Sequence, residues 1–172
     1  LVSDFPEIAE RDLNPVFATP SSAIAADVRI GVDFHPKPAR HRPAEAEVVK
    51  SMNRIMQPRS VAVIGASDEA GKIGNSVMKN LINGGYKGKI YPINPSADEI
   101  MGLKAYKSVK DVPGPVDVAV FAIPAKFVAA ALVECGEKKV PGAVLIPSGF
   151  AETGNHEGHK EIQDIGRKYG VR

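Results

Sequence analysis

At 172 residues and 44% hydrophobic content, the chain is long enough for one ordinary domain with a core, plus an appendage. A net charge of only +2 gives no nucleic-acid footprint, and the single cysteine, Cys135, excludes an internal disulfide framework and fits a reducing cytoplasm. No apolar stretch approaches the roughly 18 residues that span a bilayer, so no membrane partner is expected.

The start, Leu-Val-Ser-Asp-Phe-Pro-Glu, is too acidic and too broken for a signal peptide. It lacks an initiator Met, and the chain stops at Gly170-Val171-Arg172, where another strand is expected to begin; it reads as a fragment of a longer protein. Residues 1–33 carry strand-like runs at 8–14 and 23–30 around a turn signal, Thr19-Pro20-Ser21-Ser22. This piece is too small to bury a core and reads as the tail of a preceding domain. Residues 34–43 (Phe-His-Pro-Lys-Pro-Ala-Arg-His-Arg-Pro) are proline-rich and basic, which predicts a stiff linker.

From residue 44 to 172, helical and strand patterns alternate. A helix is predicted over 45–56, ending at Pro58, and an apolar strand over 61–64. A helix over 74–82 closes at Gly84-Gly85, and strands follow at 89–93 and 116–123. A helix over 125–138 places Phe127, Val128, Ala131 and Leu132 on one face; a strand at 142–146 and a helix at 157–169 complete the series. Strand and helix in turn, joined by short loops, predict an α/β fold with a parallel sheet covered on both faces. Ligands of such folds lie beyond the carboxyl ends of the strands.

The loops at those ends carry the most information. Ser60 to Gly74 is a strand, a glycine-spaced turn and a helix start, where Gly65, Gly71 and Gly74 let the backbone approach a ligand. The helix that follows presents unpaired amides and a partial positive charge to an anion. The dinucleotide pattern Gly-x-Gly-x-x-Gly fails, because Ser67 and Ala70 stand at its second and third glycines. After the second strand comes Asn94-Pro95-Ser96, with no ribose-binding carboxylate before Asp98. This counts against NAD and permits a ribose that bears a phosphate, with Lys72, Lys87 and Lys89 near enough in sequence to meet it. The third strand ends in Ile123-Pro124-Ala125, and the fourth in Pro147-Ser148-Gly149-Phe150-Ala151-Glu152, whose small residues allow a ligand to lie on the backbone.

Four segments carry a family resemblance: Ser-Val-Ala-Val-Ile-Gly-Ala-Ser, Ile-Tyr-Pro-Ile-Asn-Pro, Val-Asp-Val-Ala-Val-Phe-Ala-Ile-Pro-Ala and Ile-Pro-Ser-Gly-Phe-Ala-Glu. From residue 55 onward the chain resembles the Rossmann-like coenzyme A-binding domain of the nucleoside-diphosphate-forming acyl-CoA synthetases, relatives of succinyl-CoA synthetase. The resemblance implies that CoA lies over the first glycine loop, the Asn-Pro turn and the Ile-Pro-Ala turn, with its pantetheine arm toward the last loop. It nominates Gly65, Ala66, Ser67, Gly74, Asn94, Pro95, Ile123, Pro124, Ala125, Ser148, Gly149 and Phe150, with Lys72 added for phosphate charge. Pro147 departs from the small residue more usual in the family.

The leading region resembles the end of an ATP-grasp domain in Phe-Pro-Glu-Ile-Ala-Glu-Arg-Asp-Leu-Asn-Pro and Ala-Ala-Asp-Val-Arg-Ile, a β-hairpin remnant. Asp12 and Asn14, two apart, share one strand face, and Asp27 sits on the partner strand. Oxygen ligands of this kind suit Mg²⁺ shared with nucleotide phosphates, and by resemblance Asn14 and Asp27 are the magnesium pair of the full-length, ATP-using enzyme. The resemblance thus implies a cytoplasmic acid–CoA ligase that joins a carboxylic acid to CoA. The resemblance also implies a phosphohistidine carried on a later domain, and His35, His41, His156 and His159 stand in no matching context. The fragment alone is expected to bind CoA and to catalyse nothing, so it has no catalytic residue of its own. Two alternatives remain open: a ligand-sensing domain fused to a protein acetyltransferase, and an NAD-linked oxidoreductase. Cys135 falls on an apolar helix face as a small hydrophobe, and Glu152 is either a helix-start carboxylate or a group that positions the CoA thiol.

Overall fold

The computed structural model describes residues 5, 7–34 and 45–172. Of the expected linker, residues 35–43 lie outside the described residues, as do His35 and His41. The chain divides into two compact units, Leu1–Arg42 and Pro43–Arg172.

The first unit is an antiparallel ribbon. Strand β1 (Ile8–Leu13) pairs with β4 (Val28–Val32), and β2 (Val16–Ala18) with β3 (Ala23–Ala25). The run expected at 8–14 is β1, which stops before Pro15, and the run expected at 23–30 is divided into β3 and β4. Pro15 has no amide to continue the ladder, so only its carbonyl takes part, accepting from Ala26 N at 2.9 Å. The turn falls where expected: Thr19 N donates to Ser22 O at 2.7 Å, and Ser22 N donates back to Thr19 Oγ1 at 3.0 Å.

The second unit opens with helix α1 (Glu45–Met56) and builds a parallel sheet of order β10-β9-β5-β6. Its strands are β5 (Ser60–Ile64), β6 (Lys89–Ile93), β9 (Val118–Phe121) and β10 (Gly142–Leu145). β5 lies between two parallel neighbours, in register Ala62 to Ala119 on one side and Ala62 to Tyr91 on the other. Every residue of β5 is buried, which explains its unbroken apolar run.

Two cores fill the two faces. Val61 and Val63 pack with Met78 of helix α2 (Ile73–Asn83) and with Ile100. Ala62, Ile64 and Phe121 pack with Val128, Leu132 and Cys135 of α3 (Val128–Glu137) and with Ile162 of α4 (His156–Tyr169). Each of the Val, Leu, Ile, Met and Phe side chains among them contributes roughly 1.5–3 kcal/mol on full burial.

Two expectations change. Residues 125–127 form a 3-10 turn before α3, and Phe127 is 52% exposed instead of lying on the buried face. The stretch after β6, unassigned from sequence, holds a tight hairpin of β7 (Glu99–Ile100) and β8 (Leu103–Lys104). Its turn residues, Met101 and Gly102, have φ of 50° and 76°, so both stand in the left-handed region that suits a two-residue hairpin. Ile100 thereby closes the α2 face of the core at 1% exposure.

Candidate functional site

After β6 the chain crosses to the other side of β5 before laying down β9, so the connections of β5 and β9 leave in opposite directions. Such a switch point opens a crevice at the carboxyl ends of the strands. A cavity of about 680 Å³ lies there, within the range of small-molecule sites (about 300–1,000 Å³).

Glycine makes the crevice possible. Gly65 has φ of 88°, and a Cβ on it would stand 2.5 Å from Ala122 O and 2.7 Å from Ile123 Cγ2. A Cβ on Gly74 would stand 1.9 Å from Gly65 O, so the first turn of α2 rests directly on the loop after β5. Gly74 therefore serves helix–strand packing and does not line the cavity.

The donors facing the cavity are fewer than the sequence suggests. Gly65 N and Ala66 N both donate to Ile93 O, at 2.9 and 3.3 Å, and extend the sheet. The start of α2 supplies free backbone donors. Its N-cap, Lys72, supplies no side-chain cap, and its first turn holds no acidic residue. The positive end of the helix macrodipole is thus offered to an anion where Lys72 and Ile73 line the cavity. Lys72 Nζ pairs with Glu69 Oε2 at 2.6 Å, with both side chains more than half exposed, so the ammonium stays at the rim.

The loops are pinned by amide side chains. Buried Asn75 donates from Nδ2 to Ser67 O at 3.2 Å, and Asn94 Nδ2 donates to Ala66 O at 2.8 Å. Asn94 Oδ1 accepts from Ser96 N at 2.8 Å, which fixes the turn after β6. Asp68 Oδ1 accepts from Met101 N at 2.8 Å and ties the glycine loop to the β7–β8 hairpin.

Of the nominated residues, Gly65, Ala66, Ser67, Lys72, Asn94, Ile123, Pro124 and Ser148 line this one cavity. Pro95, Ala125, Gly149 and Phe150 do not. Phe150 is 8% exposed and packs in the core with α3 and α4. Gly149 (φ 120°) abuts the third loop, since a Cβ on it would stand 3.0 Å from Ala125 Cβ. Gly71, Ile73, Ala122 and Pro147 also line the cavity; the glycine spacing already marks Gly71 and the last loop Pro147, whereas Ile73 and Ala122 carry no signal beyond their position beside nominated residues. Asn75 was missed as a positioning residue because a helix asparagine announces nothing until its partner is known. Lys89 opens β6, at the far end of the strand from the cavity.

Two reactive-looking groups are explained locally. Burial pushes the Cys135 thiol up to about 12, with Glu134 adding to the effect, so it is an inert core residue. Glu152 Oε1 accepts from Gly149 N at 2.6 Å and from Phe150 N at 3.1 Å, and these amide bonds hold its carboxyl below the usual range. It closes its own loop. His156 is exposed, and His159 Nε2 lies 2.9 Å from Gln163 Nε2.

In the first unit Asn14 N donates to Asp27 O at 3.3 Å, so the two residues stand opposite each other across the ribbon, both exposed. Among the described residues no group of three His, Cys, Asp or Glu is gathered as a metal site. Among them, too, no helix is long and apolar enough to cross a membrane.

Fold and crevice together define an α/β module whose cavity, at the N-terminus of a helix, suits an anionic, nucleotide-like ligand. The chain belongs to the CoA binding domain family, which its residues 59–172 match; residues 1–32 match the ATP-grasp domain. It is 42% identical over 167 residues to acetate–CoA ligase (ADP-forming) II of Archaeoglobus fulgidus, covering 96% of this chain and 24% of the relative. It is 51% identical over 118 residues to acetate–CoA ligase (ADP-forming) of Methanocaldococcus jannaschii, covering 69% of this chain and 16% of that protein. Among solved structures it resembles dinucleotide-forming acetyl-coenzyme A synthetase 1 of Ca. Korarchaeum cryptofilum in complex with phosphate and ADP. That match has a TM-score of 0.69 and 47% identity, and covers 70% of this chain and 26% of that one. The chain thus spans a quarter or less of the length of these two curated relatives.

Proposed function

We propose that the chain is the CoA-binding module of an ADP-forming acid–CoA ligase, an enzyme that makes an acyl-CoA thioester from a carboxylic acid, CoA and ATP. The observation that carries the proposal is the uncapped, acid-free N-terminus of α2 at a cavity bordered by the loops of all four parallel strands. A phosphate or diphosphate is a natural occupant of such a helix end. In this reading the amides of α2 take the CoA diphosphate, and Lys72 leaves Glu69 to meet the ribose phosphate. Ile123 and Pro124 give the adenosine an apolar wall, and the arm runs past Pro147 and Ser148. Pro95, Ala125, Gly149 and Phe150 shape these loops from behind, as Gly74 does.

The thiol, so placed, attacks an acyl phosphate formed by other parts of the enzyme. The sulfur–carbon bond forms, the carbon–oxygen bond to phosphate breaks, and phosphate leaves with the proton that the thiol gives up. This chain contributes position instead of a reacting group, and position alone lowers such barriers substantially. Asn14 and Asp27 stand opposite each other across the ribbon, and their side-chain oxygens would serve a magnesium ion shared with nucleotide phosphates, which would neutralise phosphate charge. The acid is a carboxylic acid of a size set outside this chain, residues 1–33, 34–43 and 44–172 are the ATP-grasp end, linker and CoA domain, and the setting is the cytoplasm.

Calorimetric titration with CoA, dephospho-CoA and NAD⁺ tests the reading. The expected result is micromolar CoA binding, about −8 kcal/mol, with dephospho-CoA weaker and NAD⁺ silent. Heat with NAD⁺ and none with CoA would overturn it.

A further inference from the structure

A second hollow, of about 630 Å³, lies at the opposite end of the sheet, and nothing in the CoA reading uses it. The amino ends of β5 and β6 and the last turn of α1 enclose it. Arg54, Gln57, Arg59, Lys89, Tyr91 and Asp117 are among its lining residues. Its charge is unbalanced. Asp117 is already satisfied by Arg54 Nη2 at 2.9 Å and by the backbone amide of Arg59 at 2.9 Å. The side chains of Arg59 and Lys89 have no ion-pair partner among the described residues.

Tyr91 is an independent sign. Its ring is 8% exposed and meets Tyr106 edge-on at 6.0 Å, yet its hydroxyl has no hydrogen-bond partner among the described residues. Among those residues no fully enclosed side-chain oxygen or nitrogen lacks a partner, so this hydroxyl is not sealed in the core, and the residue that carries it lines the hollow. Tyr86 shows the contrast: its hydroxyl donates to Pro58 O at 2.8 Å. Buried tyrosines ordinarily find such a partner.

We propose that this hollow is a second anion site, which takes a phosphate group between Arg59 and Lys89 with the Tyr91 hydroxyl donating to it. A guanidinium fork, an ammonium and a phenol O–H are all donors, and none accepts from the ligand in this arrangement, so the complement is an oxygen-rich dianion. The site is separate from the CoA cavity and stands without the ligase reading.

The test is an ¹⁵N NMR titration of the 172-residue chain with inorganic phosphate against a chloride control of equal ionic strength. Saturable shifts are expected at the amides of Arg59, Ser60 and Lys89. The double variant R59A/K89A should weaken binding by about tenfold or more, while CoA affinity stays unchanged. Both side chains are exposed, and the amide of Arg59 that holds Asp117 survives the substitution. Tyr91→Phe keeps the ring and removes only the donor, and should weaken phosphate by a few-fold. Adenosine monophosphate, run in parallel, identifies the source: tighter binding than phosphate marks a nucleotide's phosphate group, and equal binding marks free phosphate. Absent or non-saturable shifts, shifts matched by chloride, or variants that bind like the parent would overturn the proposal.

Discussion

Gly74 stands where no side chain fits. A methyl group there would meet Gly65 O at 1.9 Å, and that atom is backbone in a loop already tied to Ile93. Gly74→Ala is therefore predicted to cost about 3 kcal/mol of stability, read from urea unfolding, and to weaken CoA as α2 is pushed off the β5 loop. Asp117 offers a second test. Burial alone would raise its pKa, but bonds from Arg54, the Arg59 amide and Ser60, with the Arg54 charge, outweigh this and hold it below the usual carboxylate value. A depressed folded-state pKa gives stability that is present above the unfolded value, near 4, and lost as pH falls through the folded one. Asp117→Asn is predicted to cost about 1–2 kcal/mol at neutral pH, and less as pH drops below about 4. The figure is modest because the Arg54 side chain is 51% exposed. Equal losses at pH 7 and pH 3 would refute the assignment.

At the scale of the element, α3 and α4 end in the same way with different residues. Val140 N reaches back to Cys135 O at 2.9 Å, and Val171 N to Gly166 O at 2.9 Å, the longer bond of a Schellman close. α4 places Gly170 at the left-handed position (φ 69°), whereas α3 places Lys139 there (φ 62°). A side chain in that region is strained and glycine is not. Lys139→Gly is predicted to raise stability by about 0.5–1 kcal/mol in thermal or urea unfolding. A loss would mean that the lysine side chain contributes something its exposed position does not reveal.

At the scale of the molecule, the two units differ in what they bury. The sheet unit has a core on both faces, while the ribbon leaves Leu13, Val16, Phe17, Ile24, Val28, Ile30 and Val32 all exposed. The cavity assigned to CoA is lined wholly from the second unit. A chain beginning at residue 44 is thus predicted to unfold cooperatively and to bind CoA as the full chain does, by circular dichroism and calorimetry. Loss of binding on removing the ribbon would place part of the site outside the sheet unit.

The sequence by itself determined what is local. Apolar periodicity and turn residues located β5, β6, α1 and α4 almost to the residue, because the pleat, the helical repeat and the glycine or proline stops act over a few neighbours. The same short-range signals marked the loops of the cavity. The hairpin β7–β8 escaped notice because its turn is Met-Gly instead of the usual Asn-Gly. Only the tertiary structure decided which groups remain available. The amides of Gly65 and Ala66 are taken by Ile93, Phe150 turns into the core, Lys89 sits at the far end of its strand, and the hydroxyl of Tyr91 is left open. Each of these depends on a partner outside the residue's own element or on the order of the strands, and neither is written in any local pattern.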